Sequence, residues 1–150
     1  MKILALDPAT ITGWAVYTGE TPPIVSGIIN ISLRKGESVG IKWLRFEKWL
    51  KITIQKYGIT VVSAERVSGR GPDAIVHHAK LLGVIEKVCV EQEIEHLQYS
   101  ATEIKKFATG KGNADKQDMI RAARARYDWS GEDHNEADAL HILMLTLTKI

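Results

Sequence analysis

Residues 3–18 of this 150-residue chain, ILALDPATITGWAVYT, contain the strongest indication of its architecture. It opens with ILALD (3–7), an apolar run that ends in an acid and is followed by turn-forming residues. This pattern predicts a buried strand that stops at Asp7. GWAVYT (13–18) and IVSGIINI (24–31) predict two more strands, with a turn containing Gly and Pro between them. Three short strands with brief connections are expected to form an antiparallel meander.

The rest of the chain alternates helical and strand patterns. A right-handed crossover through the first helix would bring the strand at 59–67 beside residues 3–7, in parallel. We therefore predict a single α/β domain over residues 1–150, with a mixed five-stranded sheet flanked by helices. The predicted elements after the meander are a helix at 39–57, a strand at 59–67, a helix at 73–93, a strand at 95–100, a short helix from Ser100, a helix at 114–127 and a last helix from Asp133 to about Lys149.

The composition excludes several classes of protein. Cys89 is the single cysteine, which excludes an internal disulfide framework and a multi-cysteine zinc site. No run approaches the roughly 18 apolar residues of a membrane span, and the N-terminus reaches Asp7 too soon for a signal-peptide core. We expect a soluble cytoplasmic protein with no membrane partner.

Three carboxylates are placed where burial should be costly. Asp7 and Glu65 end apolar strands that are expected to be parallel neighbours, and Asp138 lies inside the apolar helix EADALHILML. An unpaired buried carboxylate needs a cation or a metal beside it. The small neighbours of Asp138 would let its helix lie close to the sheet. Three converging acids form an oxygen-rich site for Mg²⁺, and two such ions suit phosphodiester hydrolysis.

Each acid also has an ordinary interpretation. Asp7 alone would serve as a strand-end cap for the Thr10 and Thr12 amides, Glu65 would pair with Arg66 or a helix lysine, and Asp138 would bond a neighbouring backbone group. All three together favour the metal site. For the fourth ligand we favour Asn135 or His134, which share a helix face with Asp138. Asp133 ranks below them as the expected N-cap, and Glu136 is expected to cap as well.

Four segments together resemble the RuvC family of Holliday-junction resolvases, which belongs to the ribonuclease-H-like superfamily. They are ILALDPATITGWAV, VVSAERV, TEIKKFATGKGNADKQDM and NEADALHI, and the resemblance spans about residues 3–146. The NEADAL ending especially resembles the short RuvC-like resolvases of bacteriophages of Gram-positive hosts. The resemblance implies a ribonuclease-H-like sheet, a homodimer acting on branched DNA, and a bacterial or phage-infected cell as its setting.

The resemblance also implies roles for single residues. The family's metal-binding positions fall on Asp7, Glu65, Asp138 and, three residues before the last, Asn135, where relatives carry aspartate or histidine. Two lysines that contact DNA phosphate near the cut match Lys105 and Lys116. The family's aromatic wedge, three residues after the second acid, is Ser68 here. We expect altered junction opening and weaker sequence preference from that change.

The charge is polarised along the chain. Residues 101–126 carry seven basic and three acidic side chains, a net +4, whereas the remainder carries 13 basic and 15 acidic, a net −2. Such a segment fits phosphate binding, although a solvated helix face is the commoner outcome. We expect DNA contacts from Lys105, Lys106, Lys111 and Lys116, and from Arg66 and Arg70 in the loop after Glu65.

These observations predict a structure-selective endodeoxyribonuclease that cleaves four-way junctions and other branched DNA with two Mg²⁺ ions, for which Mn²⁺ would substitute. Asp7, Glu65 and Asp138 would be catalytic, and Lys116 would stabilise the developing negative charge. Two alternatives keep the fold. One is an RNA-processing nuclease of the same superfamily, and the other is a DNA-binding module whose catalytic site has decayed, suggested by Asn135.

Overall fold

The computed structural model describes residues 1–69 and 71–150 of the chain. Its strands are β1 (Ile3–Asp7), β2 (Ile11–Tyr17), β3 (Ile24–Asn30), β4 (Val61–Glu65) and β5 (Glu95–Tyr99). They form one mixed five-stranded sheet in the order β3-β2-β1-β4-β5. β1 pairs antiparallel with β2 and parallel with β4. This arrangement confirms the predicted meander and the predicted parallel neighbour of the first strand.

β2 begins two residues earlier than the sequence pattern suggested. The turn between β1 and β2 is closed by Thr12, whose hydroxyl donates to the carbonyl of Ala9 at 2.6 Å and accepts from the Ala9 amide at 3.2 Å. Asp7 is paired across the ladder with Gly13, so the hairpin is already formed at the carboxyl end of β1. One interpretation of the sequence has Asp7 cap this turn, but the side chain that closes it is that of Thr12.

Helices cover both faces of the sheet. The core on one face joins β1 and β4 to the first two helices, and the core on the other face joins the sheet to the last three. The helices are α1 (Gly40–Tyr57), α2 (Pro72–Glu91), α3 (Ala101–Thr109), α4 (Lys116–Tyr127) and α5 (His134–Lys149). In the part of the chain that the structure describes, no helix is long and apolar enough to cross a membrane.

Strand alternation decides which way the strand-end acids point. In β1, Leu4 and Leu6 pack in the core with α1 and α2, whereas Ile3 and Ala5 pack in the core with α5. Because side chains alternate with a period of two, Asp7 falls on the α5 face. In β4 the buried Ser63 accepts a hydrogen bond from Thr146 of α5 at 2.8 Å, so Glu65 falls on the same face. Both acids therefore meet the helix that carries Asp138.

A glycine lets α5 approach the sheet closely. A Cβ built on Gly13 would lie 1.9 Å from the carbonyl oxygen of Asn135 and 2.6 Å from the amide of Glu136. The side-chain amide of Asn135 donates to the carbonyl of Ile11 at 2.8 Å and fixes the first turn of α5 against β2. The absence of a side chain at Gly13 therefore determines where α5, and with it Asp138, lies.

Candidate active site

A cavity of about 990 Å³ opens at the carboxyl ends of β1 and β4. The three acids expected from the sequence all line it, although they come from two strands and a helix. Lys105, Lys116, Asn135 and His134 line it as well. The remaining lining residues, which the sequence did not single out as site residues, are Pro8, Ala9, Ser68, Gly69, Asp73, Ala74, His77, His78, Ala114, Asp115 and Met119.

The acids repel one another in this cavity. Asp7 is only 9% exposed, and its burial, together with the negative charges of Asp138, Glu65 and Asp133, raises its pKa well above the usual range. Burial and then the charge of Glu65 raise the pKa of Asp138 to about 7, although Lys105 and Lys116 act in the opposite direction. Desolvation and like charges both disfavour the ionised form. A cation placed between these carboxylates would remove that penalty.

The donor set fits a hard divalent cation. The Oδ1 atom of Asp138 is buried and has no hydrogen-bond partner among the described residues, which is costly unless a ligand satisfies it. Carboxylate oxygens are the ligands that Mg²⁺ and Mn²⁺ prefer. Within residues 1–69 and 71–150, no three His, Cys, Asp or Glu side chains form a ready-made metal group.

The start of α5 supplies two further candidate ligands. Asn135 and His134 both line the cavity. The side-chain nitrogen of Asn135 already donates to the carbonyl of Ile11, which leaves its side-chain oxygen as the candidate ligand atom. Burial, followed by the positive charge of Lys116, lowers the pKa of His134, so its imidazole is neutral and able to bind a metal near pH 7. Asp133 is the N-cap, as expected, because its side chain accepts from the amides of Asn135 and Glu136.

The expected capping role of Glu136 is wrong. Its carboxylate accepts from the hydroxyl of Ser26 at 2.8 Å and from the indole nitrogen of Trp129 at 3.1 Å, rather than from the backbone at the helix start. Both donors come from outside α5, one from β3 and one from the segment before the helix. Glu136 therefore holds α5 against its neighbours, and Asp133 caps the helix alone.

The basic residues divide into two groups. Lys105 and Lys116 reach the cavity with the acids. Lys106 and Arg66 are exposed outside the described lining, and Lys111 lines a separate hollow of about 360 Å³ between α3 and α4. Arg70 lies outside the described residues.

Two other arginines of the basic segment bind the protein's own backbone. Arg124 donates to the carbonyl of Gly131, and Arg126 donates to the carbonyls of Phe107 and Ala108.

A buried histidine links the lysine-bearing helix to α5. His141 is fully buried, its Nε2 atom lies 2.9 Å from the carbonyl oxygen of Met119, and its Nδ1 atom lies 2.8 Å from the hydroxyl of Tyr127. The carbonyl can only accept, so Nε2 donates to it and Nδ1 accepts from Tyr127. These bonds fix α4, which begins at Lys116, against the helix that carries Asp138. His141 is therefore a structural residue and not a ligand.

Neutralising Asp138 is expected to stabilise the metal-free protein in a pH-dependent way. Its raised pKa means that the folded state binds more protons than the unfolded state between about pH 4 and pH 7, so stability falls as the pH rises through this range. At pH 8 in EDTA, Asp138→Asn should unfold with a free energy roughly 1–3 kcal/mol above that of wild type. At pH 4 the two should nearly coincide. Urea denaturation at both pH values tests this, and a pH-independent difference would contradict it.

The sequence is similar to known nucleases along almost its whole length. The family model described as crossover junction endodeoxyribonuclease RuvC matches residues 3–145. A protein of that description from Hahella chejuensis is 26% identical over 153 residues, which cover 98% of this chain and 87% of the relative. One from Corynebacterium glutamicum is 27% identical, with 98% of this chain and 68% of the relative covered.

Solved structures show the same fold. T. thermophilus RuvC in complex with Holliday junction substrate superposes with a TM-score of 0.73 at 17% identity, over 95% of this chain and 90% of the other. The yeast mitochondrial Holliday junction resolvase gives 0.64 at 14% identity, over 93% and 75%. The Fowlpox virus resolvase, in complex with junction DNA, gives 0.64 at 11% identity, over 99% of both chains. The ribonuclease-H-like arrangement expected from the sequence is confirmed.

Proposed function

The chain belongs to the RuvC family of crossover junction endodeoxyribonucleases, which are divalent-metal-dependent nucleases, and from that premise we propose how it acts. It is an endonuclease that resolves four-way DNA junctions by phosphodiester hydrolysis. Its substrate class is branched DNA, and Mg²⁺ is its metal, with two ions per site and Mn²⁺ as a substitute.

One observation carries the proposal more than any other. Three carboxylates from β1, β4 and α5 line a single cavity, and one of their oxygens is buried without a partner among the described residues. Such an arrangement is costly in the absence of a cation, and its cost is understandable if the site exists to bind one. The two lysines in the same cavity complement the phosphate of a nucleic acid that approaches the acids.

Asp7, Glu65 and Asp138 would hold the metal, and His134 or Asn135 would complete the set of ligands. When bound, the two ions would activate water and stabilise the leaving oxygen of an in-line displacement. Burial, followed by the neighbouring negative charges, raises the pKa values of Asp7 and Asp138, so a cation is needed for both of these carboxylates to be ionised together near neutral pH. Their role is to place negative charge where the cations are needed.

The lysines act on the phosphate itself. Water adds to phosphorus, the bond from phosphorus to the 3′ oxygen breaks, and the products are a 5′-phosphate and a 3′-hydroxyl. Negative charge grows on the phosphate oxygens during this step, and an ammonium group fixed nearby stabilises the transition state more than the ground state. Lys116 is assigned this role. Lys105 positions the strand, and Lys106, Lys111, Arg66 and Arg70 are proposed to bind the DNA backbone farther away.

The direct test is cleavage of a synthetic four-way junction, compared with matched duplex DNA and with a structured RNA of similar size. We expect Mg²⁺-dependent cleavage of the junction, slower cleavage in Ca²⁺, and little cutting of the duplex. Preferred cleavage of the RNA would instead support the RNA-processing alternative. Failure to cut any branched substrate in Mg²⁺ or Mn²⁺, together with undetectable metal binding by calorimetry, would identify a decayed DNA-binding module.

Removing the Lys116 ammonium should slow the chemical step more than it weakens binding. We expect Lys116→Ala to lower the single-turnover cleavage rate by about 10²–10³-fold, because the site loses a fixed positive charge at the reacting phosphate. Affinity for the uncut junction should fall by less than about 10-fold. Lys56→Ala is the matched control, since Lys56 lies near the end of α1, at the opposite end of the sheet. Equal losses in rate and affinity would contradict the assigned role.

We also propose that the chain acts as a homodimer. A four-way junction has two symmetry-related strands to cut, and a two-fold dimer would supply the acidic cavity of one chain to each strand. Analytical ultracentrifugation at micromolar concentration should give about twice the chain mass of 16.7 kDa. Paired cuts within one binding event, read from a supercoiled cruciform plasmid that becomes linear rather than nicked, are expected as well. A monomer that only nicks would contradict the proposal.

A further inference from the structure

A buried histidine on α2 contacts the loop that follows the second acid. His78 is 7% exposed, and its ring lies against the backbone of residues 65–68 rather than in the apolar core. Its Nε2 atom is 3.2 Å from the carbonyl oxygen of Glu65, and its Nδ1 atom is 3.2 Å from the amide nitrogen of Ser68. The hydrolysis described above gives this residue no part.

The ring of His78 bridges the two ends of this segment. The Glu65 carbonyl can only accept, so Nε2 carries a hydrogen and donates to it. On the other side of the ring, Nδ1 meets the backbone of Ser68, with the carbonyl oxygen of Ser68 at 3.1 Å as well as its amide nitrogen. His78 therefore joins the last residue of β4 to the third residue after it. Both ends of the segment 65–68 are therefore bonded to α2. These bonds fix the backbone that carries the Glu65 side chain.

The side chain of Glu65 is fixed as well. The hydroxyl of Ser68 donates to its Oε1 atom at 2.8 Å, and both residues line the cavity with Asp7 and Asp138. A carboxylate near two other negative charges would otherwise rotate away from them, since rotation relieves the repulsion. The Ser68 hydroxyl opposes that rotation by holding one oxygen in place.

We propose that Ser68 and His78 are positioning residues that hold the Glu65 carboxylate toward Asp7 and Asp138 in readiness for the divalent metal. This inference rests on the proposed function, because it gives Glu65 a metal to bind. The RuvC-like pattern has an aromatic residue at this position. In this chain, Ser68 would instead hold a metal ligand in place. Partners of a metal ligand typically change metal affinity by about 10–100-fold when they are removed.

The test is Mn²⁺ binding to the full-length protein, measured by calorimetry well below the melting temperature. We expect Ser68→Ala to weaken Mn²⁺ binding about 10-fold and Ser68→Thr, which keeps the hydroxyl, to restore affinity to within about threefold of wild type. His78→Leu should weaken it similarly, and His78→Gln, which keeps a donor toward the Glu65 carbonyl, should weaken it less. The Mg²⁺ concentration for half-maximal cleavage should rise in parallel.

The chain offers a matched control. Ser26 donates to the carboxylate of Glu136 at the same distance of 2.8 Å, outside the cavity lining described above. Ser26→Ala should lower the melting temperature without changing Mn²⁺ affinity. Mn²⁺ affinity of Ser68→Ala equal to that of wild type would overturn the inference, whatever its effect on melting. If wild type binds Mn²⁺ in a Ser68-dependent way but cuts no nucleic acid, the positioning role stands and the proposed function fails.

Discussion

Asp7→Asn is expected to reduce cleavage of a four-way junction at least about 10³-fold, which corresponds to about 4 kcal/mol of lost transition-state stabilisation. Asn keeps the shape of the side chain but removes the charge that a divalent cation requires. Asp7 is the most buried of the three acids, and the charges of Asp138 and Glu65 act on it directly, so it lies where the cation is expected to bind. The measurement is the single-turnover rate at saturating enzyme in Mg²⁺.

Binding should survive this substitution. The negative charge removed from the cavity repels DNA phosphate, so affinity of Asp7→Asn for the uncut junction should stay the same or rise by a few fold. Asp128→Asn is the matched control, because Asp128 is exposed and its φ of 53° suits asparagine equally well. Residual cleavage above about 10% of wild type would exclude Asp7 from the catalytic set, and loss of binding would point to misfolding instead.

Gly13→Ala is expected to cause a large loss of stability. The added methyl group would lie 1.9 Å from the backbone oxygen of Asn135, a contact that only movement of α5 or β2 can relieve. Both elements are packed against the rest of the molecule, so we expect a loss of about 3 kcal/mol or more in the free energy of unfolding. Thermal and urea denaturation measure it directly.

The opposite result is expected at Gly83. This exposed glycine lies in the middle of α2, and a Cβ there would meet nothing within 4 Å. Gly83→Ala should therefore stabilise the protein by about 0.5–1 kcal/mol, because alanine restricts the unfolded chain and favours the helix. If Gly13→Ala lowers stability by less than about 1 kcal/mol, the close approach of α5 to β2 is not what holds α5 in place.

Much of the fold follows from local pattern. Period-two alternation and turn residues identify the three meander strands, and the apolar run ending at Glu65 identifies β4. The parallel pairing of β1 and β4 follows from the handedness of the connection. The start of β2 at Ile11 does not, because it depends on the pairing of Ile11 with Asn30 in β3, a long-range contact that has no local pattern.

The candidate site was predictable in its acids and less so in their surroundings. Strand parity and small helix neighbours bring Asp7, Glu65 and Asp138 to one place. Helical spacing alone cannot show that Glu136 bonds to Ser26, which is 110 residues away, or that His78 bonds to Glu65. Such contacts depend on how elements pack against each other and have no local signature. Among the lysines, spacing does not distinguish Lys105, in the cavity, from its neighbour Lys106, outside the described lining.

The bonds from His141 to Tyr127 and Met119 have a consequence for engineering the molecule. They make α4 and α5 one rigid unit that carries Lys116 and Asp138 together. Glu65 reaches the same cavity from β4, and the backbone that follows it is held by His78 of α2 rather than by α4 or α5. Substitutions at the His141 contacts should therefore displace Lys116 and Asp138 together, relative to Glu65. The relative placement of these two groups would then be adjustable from a buried position outside the cavity lining.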